Sequence, residues 1–350
     1  MPTLVLGPEE FRQIVGRVGL NEIVDDLVER LESALCHYDS SQSCVPARAG
    51  FNYTLPGVGL VEWMPMFQRG ENVTLKVVGY HPENPARSAL PSVLSTISRY
   101  DVETGQLKAL VDGTFPTVLR TAAASGVASR LLADPSAQTL GIIGCGAQAV
   151  SQAHVLSRLF PLTELLYLDT DLDAQNSFEY RLQSVLPNNL SIKTGSLSDI
   201  VAHSDILCTA TSIDVGEGPL FSNLAHKPHL HINAVGSDFP GKIELPLELL
   251  ERAMVCPDFL EQAEHEGECQ QLERAQIGAD LASLLANSKA SNQWQKRLTV
   301  FDSTGYALED DVVMTLFLEL AERCQVGREI AIESYSIDPK DPYQFLHIAS

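Results

Sequence analysis

The chain has 350 residues, enough for about two domains, and its 45 acidic and 24 basic side chains leave a formal net charge of −21. Charge of this sign disfavours nucleic acid and anionic membranes as partners, and no apolar run approaches the roughly 20 residues of a membrane span. Because the seven cysteines form no Cys-x-x-Cys motif and the N-terminus lacks the basic segment of a signal peptide, we expect a cytoplasmic protein with reduced thiols.

The first third of the chain combines a clear helix with a group of strands. Residues 20–36 repeat isoleucine or leucine every four positions between acidic residues, which predicts an amphipathic helix. Short runs rich in β-branched residues follow, and the last two are joined by a hairpin turn. Because no helix separates these runs, we expect an antiparallel sheet in an α+β domain. The predicted strands are 57–64, 72–78, 95–102 and 107–111.

A different pattern begins near residue 116. An alanine-rich helix over 116–133 leads into alternating strands and helices, which are typical of a parallel, doubly wound α/β sheet. A long helix over 308–324 and an extended tail follow, and we expect the tail to return to the N-terminal domain. The predicted parallel strands are 139–143, 164–168, 190–194, 205–210, 230–235, 253–256 and 298–302.

A glycine turn follows the first of these parallel strands. The apolar run 139–143 ends in Gly-x-Gly-x-x-Ala, formed by Gly144, Gly146 and Ala149, and a helical pattern follows at once. This order is the setting of a dinucleotide-binding fingerprint, in which free N–H groups at the helix start face the phosphates. Asp169 ends the next strand, where a carboxylate binds the ribose hydroxyls of NAD and repels the extra phosphate of NADP. The sequence therefore favours a Rossmann-type NAD site over an α/β turn without a ligand.

Four charged residues interrupt otherwise ordered apolar segments. Glu62 and Lys76 lie within predicted strands, and Arg120 lies in the alanine-rich helix. Asp238 follows strand 230–235 in a loop bounded by glycine and proline, and ligands of open α/β sheets bind at such strand ends. Taken singly, each residue has a simpler explanation: a solvent-facing strand position, a helix salt bridge or a turn. A charged group in a half-buried strand is otherwise paired or functional, because desolvation is costly.

Two further polar clusters have simpler explanations than a site. His226, His229 and His231 surround a proline at a strand edge without a cysteine or carboxylate in register, so we expect no metal there. The three glutamates of the stretch 264–268 alternate with histidine and glycine, and we expect them to form a solvated acidic turn.

Several segments together resemble one family along nearly the whole chain. Asp-Phe-Pro-Gly-Lys at 238–242, Glu-Gly-Glu-Cys-Gln-Gln-Leu at 266–272 and Phe-Asp-Ser-Thr-Gly-Tyr-Ala-Leu-Glu-Asp at 301–310 carry the resemblance. They are similar to segments of the ornithine cyclodeaminase/μ-crystallin family, and the last two resemble its bacterial ornithine cyclodeaminases in particular. Further matching stretches are 61–65, 76 with 81–84, 119–125, 143–148 and 233–245.

The resemblance implies roles for the isolated charges. Arg48, Lys76 and Arg120 match residues that hold the carboxylate of an amino acid, which suits fixed cationic donors. Glu62 matches a carboxylate near the reacting amine and water. Asp238 matches the acid/base that handles the side-chain amine of the substrate.

The resemblance also implies a cofactor, an assembly and a domain division. The cofactor is NAD, and Ser92 keeps the hydroxyl but not the methyl of the family's threonine. A Rossmann domain over 121–319 is expected beside an α+β substrate-binding domain, formed by 1–120 and 320–350, that also makes a homodimer. Besides Gly144 and Gly146, the implied NAD contacts are Ser92, Arg120, Thr121, Ala147, Gln148, Asp169, Thr211, Val235, Gly236, Ser237, Lys242 and Ser303.

The implied reaction converts L-ornithine to L-proline and ammonia, in proline biosynthesis or arginine and ornithine catabolism. A hydride leaves Cα, the δ-amine attacks the resulting imine, ammonia leaves, and the hydride returns, so that NAD is recycled. Three alternatives remain open at the level of sequence. They are a net amino-acid dehydrogenase or cyclic-ketimine reductase, a lyase or synthase acting on lysine or a phosphoserine-like partner, and a ligand-binding protein without turnover. Ornithine and lysine differ by one methylene, worth only about 1–3 kcal/mol in a pocket.

Overall fold

The computed structural model describes residues 2–222, 224–287 and 293–347. The outermost positions of the predicted N- and C-terminal segments, 1 and 348–350, lie outside the described residues. Two sheets and the helices packed against them form the fold. In the part of the chain that the structure describes, no helix is both long and apolar enough to cross a membrane.

The strands and helices are numbered in chain order. The strands are β1 (Thr3–Leu6), β2 (Ser43–Cys44), β3 (Ala49–Tyr53), β4 (Gly59–Gln68), β5 (Asn72–Tyr80), β6 (Val93–Asp101), β7 (Leu107–Asp112), β8 (Thr139–Ile143), β9 (Glu164–Leu168), β10 (Ser191–Thr194), β11 (Ile206–Thr209), β12 (His231–Ala234), β13 (Met254–Pro257), β14 (Thr299–Asp302) and β15 (Arg328–Ile330). The α-helices are α1 (Pro8–Val18), α2 (Leu20–Cys36), α3 (Asn84–Ser88), α4 (Thr114–Leu132), α5 (Ala147–Leu159), α6 (Leu172–Leu182), α7 (Leu197–His203), α8 (Leu247–Leu250), α9 (Leu260–Ala263), α10 (Leu281–Ala286) and α11 (Ala307–Cys324). Short 3₁₀ helices lie at Glu268–Gln271 and Gln344–His347.

The first sheet has the strand order β15-β1-β7-β6-β5-β4-β2, with β3 added beside β4. The four predicted strands correspond to β4 through β7, and their antiparallel pairing is as expected. A strand that the sequence did not indicate, β1, also joins this sheet and pairs in parallel with β7, with Leu4 opposite Ala109. The tail returns to this sheet, since Glu329 of β15 pairs with Leu4 in the antiparallel sense.

The second sheet is parallel throughout and has the order β10-β9-β8-β11-β12-β14-β13. Its strands correspond to the seven predicted ones, and apolar clusters cover both of its faces. The strand order reverses between β8 and β11, and ligands of doubly wound sheets bind at the carboxyl end of such a switch point. Gly144 stands there with a φ of +92°, and a Cβ would lie 2.5 Å from the carbonyl oxygen of Ala210. The predicted doubly wound α/β fold is confirmed.

Helix α4 joins the two sheets. Most of its side chains are small and buried, so it can pack closely on every side. Near its start the hydroxyl of Thr117 lies 3.2 Å from that of Ser95 in β6. Near its end Ser129 accepts a hydrogen bond of 3.0 Å from the Asn233 amide in β12. The predicted boundary at 120/121 falls inside this helix. Because α4 contacts strands of both sheets, it places the first sheet beside the carboxyl ends of the second.

Candidate active site

The glycine turn leaves the start of helix α5 open. Gly146 is exposed and stands at the N-cap of α5, where no side chain caps the helix. A Cβ at this position would meet no protein atom within 4 Å. Packing within the chain therefore does not require a glycine here, whereas close approach of a phosphate to free N–H groups does. The N-terminus of α5 fits a dinucleotide.

Asp169 lies beside this turn, at the end of β9. One of its carboxylate oxygens accepts a hydrogen bond of 2.6 Å from the backbone N–H of Cys145, and the other accepts one of 2.8 Å from Asp171. The side chain is half-buried, so it can reach a ligand at the turn. Of the other predicted contacts on α5, Ala147 is exposed and Gln148 is half-buried.

The remaining predicted cofactor contacts of the second sheet follow β11, β12 and β14. The hydroxyl of Ser303 is buried without a hydrogen-bond partner, so it is available to a ligand. The Thr211 hydroxyl instead donates to Glu244, at 2.7 Å, and the Ser237 hydroxyl donates to the carbonyl of Lys242. Val235 and Gly236 lie directly after β12 and are buried. Thr121, on α4, donates to the carbonyl of Thr117, and Ser92 is half-buried beside β6.

A deep ion-pair cluster lies between β5, α4 and α11. Lys76 donates to a carboxylate oxygen of Asp310 at 2.9 Å, and both side chains are only 1% exposed. Arg120 lies 3.3 Å from the same oxygen and donates to Glu309 at 2.6 Å. The second carboxylate oxygen of Asp310 has no hydrogen-bond partner. The solvent-facing explanation of Lys76 is therefore wrong.

Arg48 forms a second group of charges near the first. Its guanidinium lies 3.4 Å from Glu62 and 2.9 Å from Glu266, and it donates to the backbone carbonyls of Thr304 and Gly305. Arg48 follows β2 and Glu62 lies on β4, whereas Glu266 follows β13, and Thr304 and Gly305 follow β14. The two sheets therefore meet at this group.

Burial and neighbouring charges shift the pKa values of these side chains. Burial and the nearby Arg120 lower the pKa of Lys76 to about 8. Burial raises the pKa of Glu266 to about 8, against the opposing effect of Arg48, and burial raises that of Glu309 to about 7. At neutral pH Glu266 is therefore mainly protonated, so it competes weakly with another anion for Arg48.

Asp238 lies at the rim of the site, in the loop after β12. Its side chain is 41% exposed, and the Lys242 ammonium is 3.6 Å from its carboxylate. Lys242 also donates to the Tyr80 hydroxyl at 2.9 Å and lies 4.2 Å above the centre of its ring. Because Tyr80 ends β5, this contact fixes the loop against the first sheet.

The family is decided by comparison with known proteins. The chain matches the model of the ornithine cyclodeaminase/mu-crystallin family over residues 9–324. It belongs to that family. The L-lysine cyclodeaminase of Streptomyces rapamycinicus is 38% identical over 98% of this chain and 99% of its own length. The ornithine cyclodeaminase of Brucella melitensis is 31% identical over 97% of this chain and 91% of its own.

Solved structures of the ornithine cyclodeaminase/mu-crystallin fold agree. A lysine cyclodeaminase, studied for recognition of L-lysine, L-ornithine and L-2,4-diamino butyric acid, has a TM-score of 0.95 and 46% identity, covering 99% of this chain and all of its own. An archaeal alanine dehydrogenase dimer with bound NAD has a TM-score of 0.84 and 30% identity, covering 95% of this chain and all of its own. The predicted family is confirmed, and NAD is a cofactor of such neighbours, in agreement with the open helix start and the free Ser303 hydroxyl.

The family segment around 266–268 is not the solvated turn expected from sequence. Glu268 is fully buried and accepts hydrogen bonds from the backbone N–H groups of Glu244, at 2.7 Å, and Leu245, at 3.1 Å. Glu266 is buried against Arg48, and only Glu264 of the three lies exposed, 2.6 Å from Arg274. The N–H donors that permit this burial come from a distant loop, so the local sequence gives no sign of them.

Sequence reasoning also missed the acidic partners Glu309 and Asp310. One signal in the sequence could have identified them as buried. Apolar residues stand on both sides, Ala307-Leu308 before and Val312-Val313 after, as on a helix face that turns inward. The histidines serve structural contacts, since His229 lies 3.0 Å from Asp205 and His231 bonds Thr299 at 2.9 Å. Within residues 2–222, 224–287 and 293–347, no three His, Cys, Asp or Glu side chains are grouped to hold a metal ion.

Proposed function

We propose that this protein is an NAD-recycling cyclodeaminase of linear diamino acids, with L-lysine as the main substrate, L-pipecolate and ammonia as products, and L-ornithine as a second substrate. One observation carries the proposal: three cations, Arg48, Lys76 and Arg120, lie close to Glu62 at the carboxyl edge of the second, parallel sheet. The sequence alone favoured ornithine. Identities of 38% and 46% to lysine cyclodeaminases favour lysine instead.

The three cations suit the α-carboxylate of the substrate. Each lies against an acidic side chain, Glu62 for Arg48 and Asp310 for Lys76 and Arg120, so little reorganisation is needed when an anion arrives. Protonation of Glu266, whose pKa burial raises to about 8, leaves the positive charge of Arg48 available to the substrate at neutral pH. A fixed carboxylate then orients Cα, which is the atom that must face the nicotinamide.

Two carboxylates suit the amines. Glu62, beside Arg48, is positioned for the α-amine and for water. A side-chain ammonium has a reference pKa near 10.4 and is no nucleophile at neutral pH, so a base beside it is required. Asp238 lies at the rim with a side chain that is 41% exposed, and the Lys242 ammonium is 3.6 Å from its carboxylate.

NAD is expected along the edge from α5 to β14. The N–H groups after Gly146 would hold the phosphates, Asp169 the ribose, and Ser303 the nicotinamide half. When bound, NAD supplies an acceptor that takes the hydride from Cα and later returns it. The chain's own side chains orient the substrate and move protons.

The test is an incubation of the purified chain with L-lysine or L-ornithine and a trace of NAD. Pipecolate or proline, ammonia and the absorbance of NADH are measured. We expect product and ammonia in large excess over cofactor, with lysine turned over faster than ornithine. Failure of both diamino acids to yield a cyclic product would refute the proposal.

An amino-acid dehydrogenase is the second candidate, because the alanine dehydrogenase neighbour has the same fold at 30% identity. Such an enzyme consumes NAD in proportion to product. The same incubation with L-alanine and excess NAD distinguishes the two. Persistent NADH equal to the product formed would favour the dehydrogenase.

We also propose that the protein is a homodimer joined through the first sheet and the tail. Phe51 on β3 and the nearby Leu55 are 68% and 83% exposed, and Ile337 in the tail is 81% exposed. Exposed apolar residues in such number favour a protein interface. The alanine dehydrogenase neighbour is described as a dimer. Light scattering after size exclusion should give twice the chain mass of 38.1 kDa, whereas a monomer mass would contradict this. A cytoplasmic location stays a prediction.

A further inference from the structure

A single buried carboxylate joins two strand ends beneath the Asp238 loop. Glu244 is fully buried and lies between Asp238 and α8. Its Oε1 accepts hydrogen bonds from the backbone N–H of Thr211, at 2.8 Å, and from its hydroxyl, at 2.7 Å. Its Oε2 accepts from the Thr209 hydroxyl, at 2.6 Å, and from the backbone N–H of Gly236, at 2.9 Å. Glu244 therefore fixes the residues that follow β11 and β12.

Two more buried carboxylates continue this connection. Glu268 accepts from the backbone N–H groups of Glu244 and Leu245, as described above. Asp302, at the end of β14, accepts from the backbone N–H groups of Glu268 and Cys269, both at 2.8 Å. A carboxylate can accept at both oxygens, which suits N–H groups that have no strand partner. The three side chains together tie the ends of β14, β12 and β11.

Gln270 anchors the far end of the same loop. Its side-chain oxygen accepts from the backbone N–H of Gly241 at 2.7 Å. Its amide nitrogen donates to the carbonyls of Lys242, at 2.9 Å, and Gly267, at 2.7 Å. Both ends of the loop are therefore held, while the side chain of Asp238 within it stays 41% exposed.

We propose that Glu244, with Gln270, positions Asp238 for its work on the substrate amine. Glu244 binds the backbone two residues before Asp238, and Gln270 binds it three and four residues after. Neither Glu244 nor Gln270 is proposed to contact the substrate amine. Both act on Asp238 through the backbone of its loop. The inference rests on the proposed function, in which Asp238 is the base. A displacement of about 1 Å at a reacting group costs on the order of 10²-fold in rate.

Glu244→Gln is the most informative variant, because it keeps the shape of the side chain and replaces one acceptor oxygen with an NH₂ group. A glutamine has one acceptor oxygen and one NH₂ donor. In either orientation of the glutamine amide, its NH₂ group faces a backbone N–H, that of Thr211 or that of Gly236. A backbone N–H cannot accept a hydrogen bond, so one of the two contacts is lost. Thr209→Val is the matched control, because it removes a hydroxyl from the same carboxylate but leaves both backbone bonds.

The full chain with NAD is assayed with L-lysine for kcat, KM and the fraction of bound cofactor that is reduced during turnover. For E244Q we expect kcat to fall about 10- to 100-fold with KM within about threefold, since the carboxylate-binding cations lie on other elements. The fraction of bound cofactor that is reduced during turnover should rise, because the variant slows ring closure but not the removal of the hydride from Cα. Loss of folded protein would lower kcat without raising that fraction.

T209V should keep kcat and KM within about threefold of the parent and show no rise in reduced cofactor. The inference is wrong if E244Q behaves like T209V, or if T209V shares the loss. Gln270→Leu, at a half-buried side chain, tests the other anchor should E244Q not fold. An unchanged reduced fraction in Q270L would then overturn the inference.

Asp238→Asn, measured in parallel, separates this inference from the proposed function. Full turnover by D238N would remove the proposed role of Asp238 itself. An inactive D238N together with normal E244Q and Q270L would leave that role intact and refute only the positioning by Glu244 and Gln270.

Discussion

The two charged regions of the site are built in different ways. In the deep cluster, Lys76 and Arg120 meet Glu309 and Asp310 at 2.6–3.3 Å, with side chains at most 7% exposed. At the rim, Asp238 is 41% exposed and its carboxylate lies 3.6 Å from the Lys242 ammonium. In the deep cluster side chains hold side chains, whereas at the rim the side chains of Glu244 and Gln270 bond the backbone of the loop that carries Asp238.

This difference matches two chemical tasks. Recognition of a carboxylate needs fixed cations in a setting of low dielectric, where charge–charge interactions are strong. Proton transfer needs a group that can exchange its proton with water between turnovers, and an exposed carboxylate can do so. The deep cluster should therefore govern substrate affinity, and the rim should govern the rate of the amine step.

Asp238→Asn should have the largest effect. Loss of a general base lowers rates by about 10²–10⁴-fold, so kcat for pipecolate formation should fall in that range, with NAD affinity largely kept. Product analysis and NAD titration measure the two quantities. Asp214→Asn, at an exposed position in a neighbouring loop, is the control and should stay close to the parent. Equal rates for D238N and the parent would contradict the assignment.

Lys76→Met should remove the Lys76–Asp310 ion pair of the deep cluster and raise KM. Loss of one cation for the substrate carboxylate should raise KM for L-lysine about 100-fold, equivalent to about 2.7 kcal/mol of binding free energy. The free energy of unfolding should also fall, toward the lower end of the roughly 3–5 kcal/mol typical of a broken buried pair, because Arg120 still contacts Asp310.

Lys76→Met with Asp310→Asn separates binding from stability. Denaturant unfolding should show that the double variant regains much of the lost free energy, because the unpaired carboxylate is gone. Its KM should stay high. Recovery of KM in the double variant would show that Lys76 acts on folding and not on the substrate.

Gly146→Ala should have an intermediate effect, confined to the cofactor. A Cβ there meets no protein atom but would stand where the phosphates approach α5, so Kd for NAD should rise about tenfold, or about 1.4 kcal/mol. Calorimetric titration measures Kd. Gly16→Ala, where a Cβ also meets nothing within 4 Å, is the matched control. An unchanged Kd in G146A would argue against a phosphate at this turn.

Glu266→Gln should have the smallest effect and should appear only at high pH. With a pKa of about 8, Glu266 is neutral at lower pH and becomes an anion above it, when it competes with the substrate for Arg48. KM should therefore rise above pH 8 in the parent.

Lys76 also loses its charge near pH 8, so part of this rise should remain in E266Q. KM measured between pH 7 and 9 should increase less steeply in E266Q than in the parent. Glu264→Gln, at the exposed glutamate of the same segment, should follow the parent. Identical profiles for E266Q and the parent would exclude competition by Glu266.

The two sheets also differ in how far the sequence predicts them. The parallel strands are buried on both faces, and their apolar runs, separated by helices, predict the ends of each strand to within one residue. In the first sheet β1, β2, β3 and β15 went unnoticed, because they have two to five residues and β3 and β15 are largely exposed. Such strands exist because a neighbour supplies hydrogen bonds, and no local periodicity records that.

The amino-acid sequence by itself determined the doubly wound sheet, the glycine turn with Asp169, and the family, whose motifs single out Lys76, Arg120 and Asp238. The tertiary structure alone decided which groups pair with them. Asp310 stands 234 residues from Lys76, and Glu266 lies against Arg48 and not in solvent. A charge can be buried only where distant chain segments supply its partner, so its burial and pKa are properties of the packed fold.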